Sequence, residues 1–208
     1  GYAMTTGTGN TAIGYYAFKS ATTNSSDASG LPHANTAVGY KALEDMNRTD
    51  ATDTYGYNTA IGYQAALNLT TCSYNTHVGA LAGGNGIITG TANTTLGYAP
   101  GYKLTSGAYN TFIGNQAGYE NTTGQSNIAI GHEALEKNVD GDNNIAIGYQ
   151  ALEEFEAASD GDGGNIAIGK TALTNCDTGT NNIAIGHAAM GLGVTTGTHN
   201  TCLGYASG

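Results

Sequence analysis

The chain has 208 residues, among them 33 Gly, 2 Pro and no Trp, and only 11% of its residues are charged. A net charge of −10 with six Lys and Arg argues against a nucleic-acid surface, which needs clustered cations, and against an anionic membrane surface for the same reason. No run approaches the roughly 20 apolar residues that span a bilayer, and no signal peptide is visible.

Along the chain one five-residue phrase recurs: Asn, Thr or Ile, a variable residue, Ile/Val/Leu, Gly. It begins at Asn10, Asn35, Asn58, Asn75, Asn93, Asn110, Asn127, Asn144, Asn165, Asn182 and Asn200. Four copies, from Asn127 to Gly186, read NIAIG without change. The steps between copies are 25, 23, 17, 18, 17, 17, 17, 21, 17 and 18 residues. A basic period of 17 with insertions predicts a solenoid, not an ordinary globular domain. The composition alone leans towards disorder, but disordered chains need no fixed aliphatic spacing. The expectation is one all-β domain over residues 1–208, a parallel β-solenoid of about eleven coils. It is expected to be a segment of a longer chain.

Within a copy such as Asn110–Ser126 the phrase alternates with period 2. The reading is that Thr111 and Ile113 point inward and Phe112 outward, so that the Ile pairs of later copies form the core. The glycine that closes each phrase (Gly114, Gly131, Gly148, Gly169, Gly186 and their equivalents) reads as a corner. A second short strand is expected around Ala17, Ala42, Ala65, Ala82, Ala117, Ala134, Ala151, Ala172 and Ala189, and a glycine three positions before the next Asn closes most coils. Stacked Asn side chains are expected to hydrogen-bond in a ladder, and Asn also tolerates left-handed backbone. Helix is disfavoured, except for a turn or two at Glu133–Val139 or Gln150–Ala158.

On this reading the outward column is mostly alanine: Ala12, Ala37, Ala60, Ala129, Ala146, Ala167 and Ala184. A flat apolar column of this kind suits close packing of another chain, so a homotrimer about an axis along the solenoid is expected. The alternative is that Ala simply tolerates exposure.

The phrases NTAIGYQA (Asn58–Ala65), NIAIGHEAL (Asn127–Leu135) and NIAIGYQAL (Asn144–Leu152) resemble the head repeats of YadA-type trimeric autotransporter adhesins, and related repeats of bacteriophage tail fibres and large bacterial surface proteins. The resemblance covers essentially the whole chain. It implies a left-handed parallel β-roll, trimerised side by side and used for attachment. The period here is a few residues longer than that family's coil, and the Tyr column after the glycine is unusual.

The three long steps place insertions at 19–33, 44–56 and 153–163, all in one phase, so the loops are expected on one edge as a binding face. Tyr15, Tyr40, Tyr63, Tyr98 and Tyr149 follow the corner glycine, as does Tyr205, with His132, His187 and Lys170 in the same phase. Such a row offers rings for sugars or a protein partner; the alternative is that the rings cap a thin core or pack between chains. Asp140, Asp142, Asp160 and Asp162 sit in Asp-Gly turns and are the only candidates for Ca²⁺; turn chemistry alone also explains them. No cofactor is expected otherwise. Cys72, Cys176 and Cys202 form no disulfide or zinc pattern. No catalytic motif is present, and no His pairs with a nucleophile at a repeated spacing.

The expectation is therefore a non-enzymatic fibre segment, extracellular, on a cell surface or in a virion. Its partners would be copies of itself and a cell-surface glycan or protein, with no nucleic acid and no membrane insertion. One alternative is a spacer without ligand. Another is an ice-binding solenoid, which would need outward threonines; the stacked Thr11, Thr36, Thr59, Thr76, Thr94 and Thr111 give way to Ile128 as an inward position would.

Overall fold

The computed structural model describes residues 9–23, 34–48, 56–84, 86–191, 193 and 195–208. Among these residues there is no helix. The strands are β1 (Thr11–Ile13), β2 (Ser20–Thr23), β3 (Thr36–Val38), β4 (Asp45–Arg48), β5 (Thr59–Ile61), β6 (Thr76–Val78), β7 (Thr94–Leu96), β8 (Thr111–Ile113), β9 (Ile128–Ile130), β10 (Ile145–Ile147), β11 (Ile166–Ile168), β12 (Ile183–Ile185) and β13 (Thr201–Leu203). Each recurring phrase supplies one strand of an eleven-stranded sheet ordered β1-β3-β5-β6-β7-β8-β9-β10-β11-β12-β13. All its pairs are parallel and keep one register. Thr11 lies opposite Thr36 and Ile145 opposite Ile166, although the steps between them are 25 and 21 residues. The extra residues leave the stack unshifted. The fold is a parallel β-solenoid in which each strand is one side of a coil.

The first two insertions begin alike: β2 and β4 pair in parallel, Ser20 opposite Asp45. Most of the rest of 19–33 and 44–56 lies outside the described residues. The third, 153–163, sends Phe155 into the core and rejoins the stack where Asp142 bridges Gly163.

The faces of the strands are the reverse of the sequence expectation. The middle residue of each strand points inward: Ala37, Ala60, Ala129, Ala146, Ala167 and Ala184 are fully buried, and Ala12 at the end of the stack is partly buried against the core. The flanking Thr and Ile residues are half-buried or exposed. The alanines proposed as an oligomer interface are therefore core residues. Alternation fixes that two sets of side chains lie on opposite faces, but not which set is inside. The interior is too narrow for two branched columns, so the small set goes in.

Among the described residues no second strand forms around the alanines expected to carry it. Residues around Ala117, Ala134 and Ala151 form turns, because left-handed residues alternate there: Gln116 (φ 56) and Gly118 (φ 59), Glu133 (φ 56) and Leu135 (φ 55). The suggested helical turns at 133–139 and 150–158 belong to the same turn segments. Hydrogen bonds still run from coil to coil on this side, with Gly118 N donating to Ala134 O at 2.9 Å and Leu135 N to Ala151 O at 3.0 Å.

Size complementarity across each coil builds the core. The inward strand residue and the residue six positions later face one another. Where the first is Ala129, Ala146 or Ala167, the second is Leu135, Leu152 or Leu173, all fully buried. Where the first is His77 or Phe112, the second is Gly83 or Gly118. A Cβ on Gly118 would sit 2.7 Å from the Phe112 ring, and one on Gly83 would run into the His77 ring. Most coils thus receive one large side chain, from either side. Ala60 with Ala66 and Thr95 with Gly101 depart from this; Leu69 lies in the cluster of the first, and the Phe112 ring lies beside Gly101 in the second.

His77 is the polar member of this series. Its Nδ1 lies 2.8 Å from Thr95 Oγ1, its Nε2 has no partner, and burial pushes its pKa down from 6.5 to about 4. The folded state thus resists protonation that the unfolded chain accepts below pH 6.5. Stability is full above that pH and falls as pH drops towards 4, by about 3 kcal/mol at about 1.4 kcal/mol per unit. Denaturation curves at pH 7 and pH 4 are expected to show this loss, and His77→Phe is expected to reduce it.

The exchange across a coil gives a second expected outcome. Phe112→Ala should cost about 3–5 kcal/mol by leaving a cavity. Gly118→Leu should cost about 1–3 kcal/mol by overpacking. The double variant reproduces the Ala129–Leu135 pair and should recover most of the loss in chemical denaturation.

Candidate functional site

The repeated asparagines form one unbroken ladder. The backbone N–H of each donates to Oδ1 of the one before: Asn35 to Asn10 at 2.9 Å, Asn93 to Asn75 at 2.8 Å, Asn127 to Asn110 at 2.9 Å, Asn165 to Asn144 at 3.1 Å. The same contact joins Asn58, Asn110, Asn144, Asn182 and Asn200 to their predecessors, and Asn75 to Asn58. In most coils the amide nitrogen also turns to the closing turn of its own coil, while at Asn35, Asn144 and Asn200 it donates to the preceding Oδ1. Asn75 Nδ2 donates to Gly90 O at 3.1 Å, Asn110 Nδ2 to Gly124 O at 2.8 Å and Asn127 Nδ2 to Gly141 O at 2.7 Å. This explains the glycine three positions before the next Asn, since a Cβ on Gly124 would meet Asn127 Nδ2 and Gly141 O.

The left-handed residue at this corner is not the asparagine but its predecessor: Tyr57 (φ 60), Tyr74 (φ 63), Tyr109 (φ 61), Asn143 (φ 59) and others. The asparagine must stay extended to pair, so the bend falls one residue earlier. At the far end of the strand Gly114 and Gly131 take φ values of 139 and 135, and a Cβ on Gly114 would strike the Gly131 carbonyl. Gly148, Gly169 and Gly186 repeat this corner.

Outside the ladder, each coil presents four exposed or half-exposed positions in line: the residue before Asn, the two outward strand residues, and the residue after the corner glycine. The strand pair is Ile128/Ile130, Ile145/Ile147, Ile166/Ile168 and Ile183/Ile185 in the NIAIG coils. Thr11, Thr36, Thr59, Thr76, Thr94 and Thr111 occupy the first of these columns nearer the N-terminus, and they face outward. Lys170 is the one Lys, Arg, Asp or Glu in the four columns.

The rings after the corner glycine are exposed and stack on one another, without capping the core. Tyr15 and Tyr40 lie 5.5 Å apart with planes at 10°, Tyr40 and Tyr63 5.3 Å apart at 8°, and His132 and Tyr149 5.3 Å apart at 15°. Lys170 Nζ lies 5.8 Å from the Tyr149 ring centre. Tyr98 and Tyr205 are exposed in the same column, and His187 meets Tyr205 edge-on at 5.2 Å. A second row precedes the asparagines, with Tyr57 and Tyr74 stacked at 5.4 Å and Tyr109 exposed. Sequence reading passed over it, although Tyr at 57, 74 and 109 shares one phase.

Charge lies on the turn side. Lys41 pairs with Glu44 at 2.9 Å and Lys137 with Glu154 at 2.5 Å; Lys103 pairs with Glu120. Glu133, Glu136 and Glu153 bring carboxylate oxygens within 4.8 Å of one another, the one such group of three among the described residues. Burial, then the neighbouring carboxylates, raises the pKa values of Glu136 and Glu153. Gln150 Nε2 already donates to Glu133 at 2.9 Å and Glu153 at 3.3 Å. Asp140, Asp142, Asp160 and Asp162 form no such group; Asp142 Oδ1 instead accepts from Gln125 N at 2.6 Å.

Burial raises the thiol pKa of Cys72 to about 12 and of Cys176 to about 11, so neither is a ready nucleophile. Cys202 is partly buried, and all three are unpaired. His33 lies outside the described residues. Among the described residues no helix is long and apolar enough to cross a membrane.

Removing one ladder member strips a buried N–H and a buried carbonyl of their partners. Asn127→Ala is expected to cost at least about 2 kcal/mol in denaturant unfolding. Asn127→Asp keeps the acceptor but buries a carboxylate against the Gly141 carbonyl. Relative to wild type, it should be worse at pH 7 and improve towards pH 4 as the carboxyl protonates.

Compared with family models, with curated proteins and with solved structures, the chain matches none.

Proposed function

We propose that this chain is a non-enzymatic fibre segment, extracellular or virion-associated, in which three left-handed β-rolls of eleven coils lie side by side as a rigid rod. The rod carries a surface for recognition. The observation behind this reading is the outward face of the four NIAIG coils. Eight isoleucines stand there in two in-register columns, and Lys170 is the one Lys, Arg, Asp or Glu beside them. Rungs about 4.8 Å apart make this one continuous apolar strip, larger in kind than scattered surface residues. The partner surface is thus the Thr/Ile columns, in place of the alanines. A second copy of the same face is the economical cover, and closed symmetry is the default for such self-association. The buried thiols of Cys72 and Cys176, both with raised pKa, and the core-bound His77 leave little for catalysis.

A second reading gains from the reversal of faces. Threonines at 11, 36, 59, 76, 94 and 111 now form an outward column, as an ice-binding face requires. The neighbouring column is aliphatic, however, and stacked tyrosines flank the strip. Measurable thermal hysteresis would favour that reading.

Light scattering on the purified chain is expected to give three times the 21.0 kDa of one chain. Ile145→Glu with Ile147→Glu should return it to a single chain with its circular dichroism intact. A lone 21.0 kDa species in wild type removes the trimer. Binding to intact cells separates adhesin from spacer.

A further inference from the structure

The buried apolar side chains fall into two clusters, one running from Ala17 to Ile88 and the other from Phe112 to Ala189. Ala82, Ala99 and Leu104 are buried between them and belong to neither. The break coincides with two consecutive coils whose inward strand residue is polar, His77 in β6 and Thr95 in β7. In every other coil that residue is Ala, Phe or Cys. We propose that the solenoid is jointed at this layer: the coils before and after it are two cooperative units, and acid opens the joint before either unit unfolds.

The layer is weak by its own chemistry. His77 Nδ1 and Thr95 Oγ1 lie 2.8 Å apart, so this side-chain hydrogen bond ties the two polar residues to each other and neither to a cluster. His77 Nε2 is buried without a partner. Across the coil from these residues stand Gly83 and Gly101, which bring no side chain to the layer. Residues 75–92 include five glycines, at 79, 83, 84, 86 and 90, and glycine loses the most backbone freedom on folding. The stability of a linear stack is the sum of its coils and of the interfaces between neighbours, so it parts where the interface is poorest.

Acid acts on the joint through His77. Ala60 opposite it on β5, Thr95 on β7 and Gly83 across the coil carry no charge, and burial alone lowers its pKa from 6.5 to about 4. The closed joint therefore excludes a proton that the open joint accepts. Closure is fully favoured above pH 6.5 and weakens as pH falls towards 4. The second unit contains groups of the opposite sign. Burial and neighbouring carboxylates raise the pKa values of Glu136 and Glu153, so protonation there favours the folded form. The joint requires no partner and is independent of the self-association proposed above.

Hydrogen exchange of the whole chain, read by mass spectrometry and corrected for intrinsic rates, tests this. An unjointed rod frays from its ends and protects its middle best. The joint predicts the reverse at pH 4.5: protection dips at residues 75–107, between better protected coils at 58–74 and 110–190. From pH 7 to pH 4.5 the opening constant of the dip is expected to rise about fiftyfold, and that of the flanks far less. His77→Phe gives the coil of Gly83 the pairing that Phe112 makes with Gly118, and it should abolish the acid response and fill the dip. His77→Leu serves the same purpose if the first variant folds poorly. Middle coils better protected than both flanks at pH 4.5 overturn the proposal. So does opening that acid leaves unchanged, that spreads evenly along the chain, or that keeps its acid response in both variants.

Discussion

One amide per coil, accepting the backbone N–H of the next asparagine, sets everything else in this molecule. Parallel strands three residues long, such as Ile145–Ile147, have few ladder bonds with which to define a register. A slip of one residue would turn every side chain to the other face. Asn127 Oδ1 holds Asn144 N at 2.9 Å while its Nδ2 fastens the turn at Gly141, so a single side chain fixes the stagger between coils and the closure of its own coil. Aspartate lacks the donor, serine the second arm, and glutamine is one methylene too long for a corner this tight. The step of 21 residues between Asn144 and Asn165 shows the strength of this constraint. The chain loops out four extra residues and returns to the same contact, at 3.1 Å.

With the register fixed, the interior becomes a stack of thin layers, one per coil, packed into continuous clusters. Each accepts about one large side chain, and the Phe112–Gly118 and Ala146–Leu152 pairs are two solutions to one volume. Interiors at crystal-like density leave little slack for a third. The outward set then has to carry the branched residues that the inside cannot hold. The outward placement of the isoleucines follows from the narrow bore of the coil.

Much of this was legible in the sequence. The period, the parallel stack and the alignment of asparagines follow from the spacing alone. The orientation of the strand did not, since NIAIG reads equally well with Ile or Ala inside. The information lay six residues further on, in the reciprocity of His77 with Gly83 and Phe112 with Gly118 against Ala129 with Leu135. A residue that varies inversely in size with another at fixed spacing shares a cavity with it. The turn segment was misread as a strand for a related reason: a column holding both Gly118 and Leu135 accepts left-handed backbone, which strand patterning does not reveal. The Glu133, Glu136 and Glu153 group was hidden because Glu153 joins the other two only when one coil is laid on the next.

The same stacking orders the outer surface. In a globular domain, replacing a surface Tyr by Ala alters a patch whose neighbours come from many parts of the chain. Here each outward position has two neighbours of its own column and a ladder that does not move. Ala80 therefore lies between Tyr63 and Tyr98 by register alone, with Leu81 N donating to Tyr63 O and Ala99 N to Ala80 O, both at 2.9 Å. The order of small and aromatic residues along one column is thus an order along the solenoid axis, readable in the sequence once the asparagines have fixed which residues share a column.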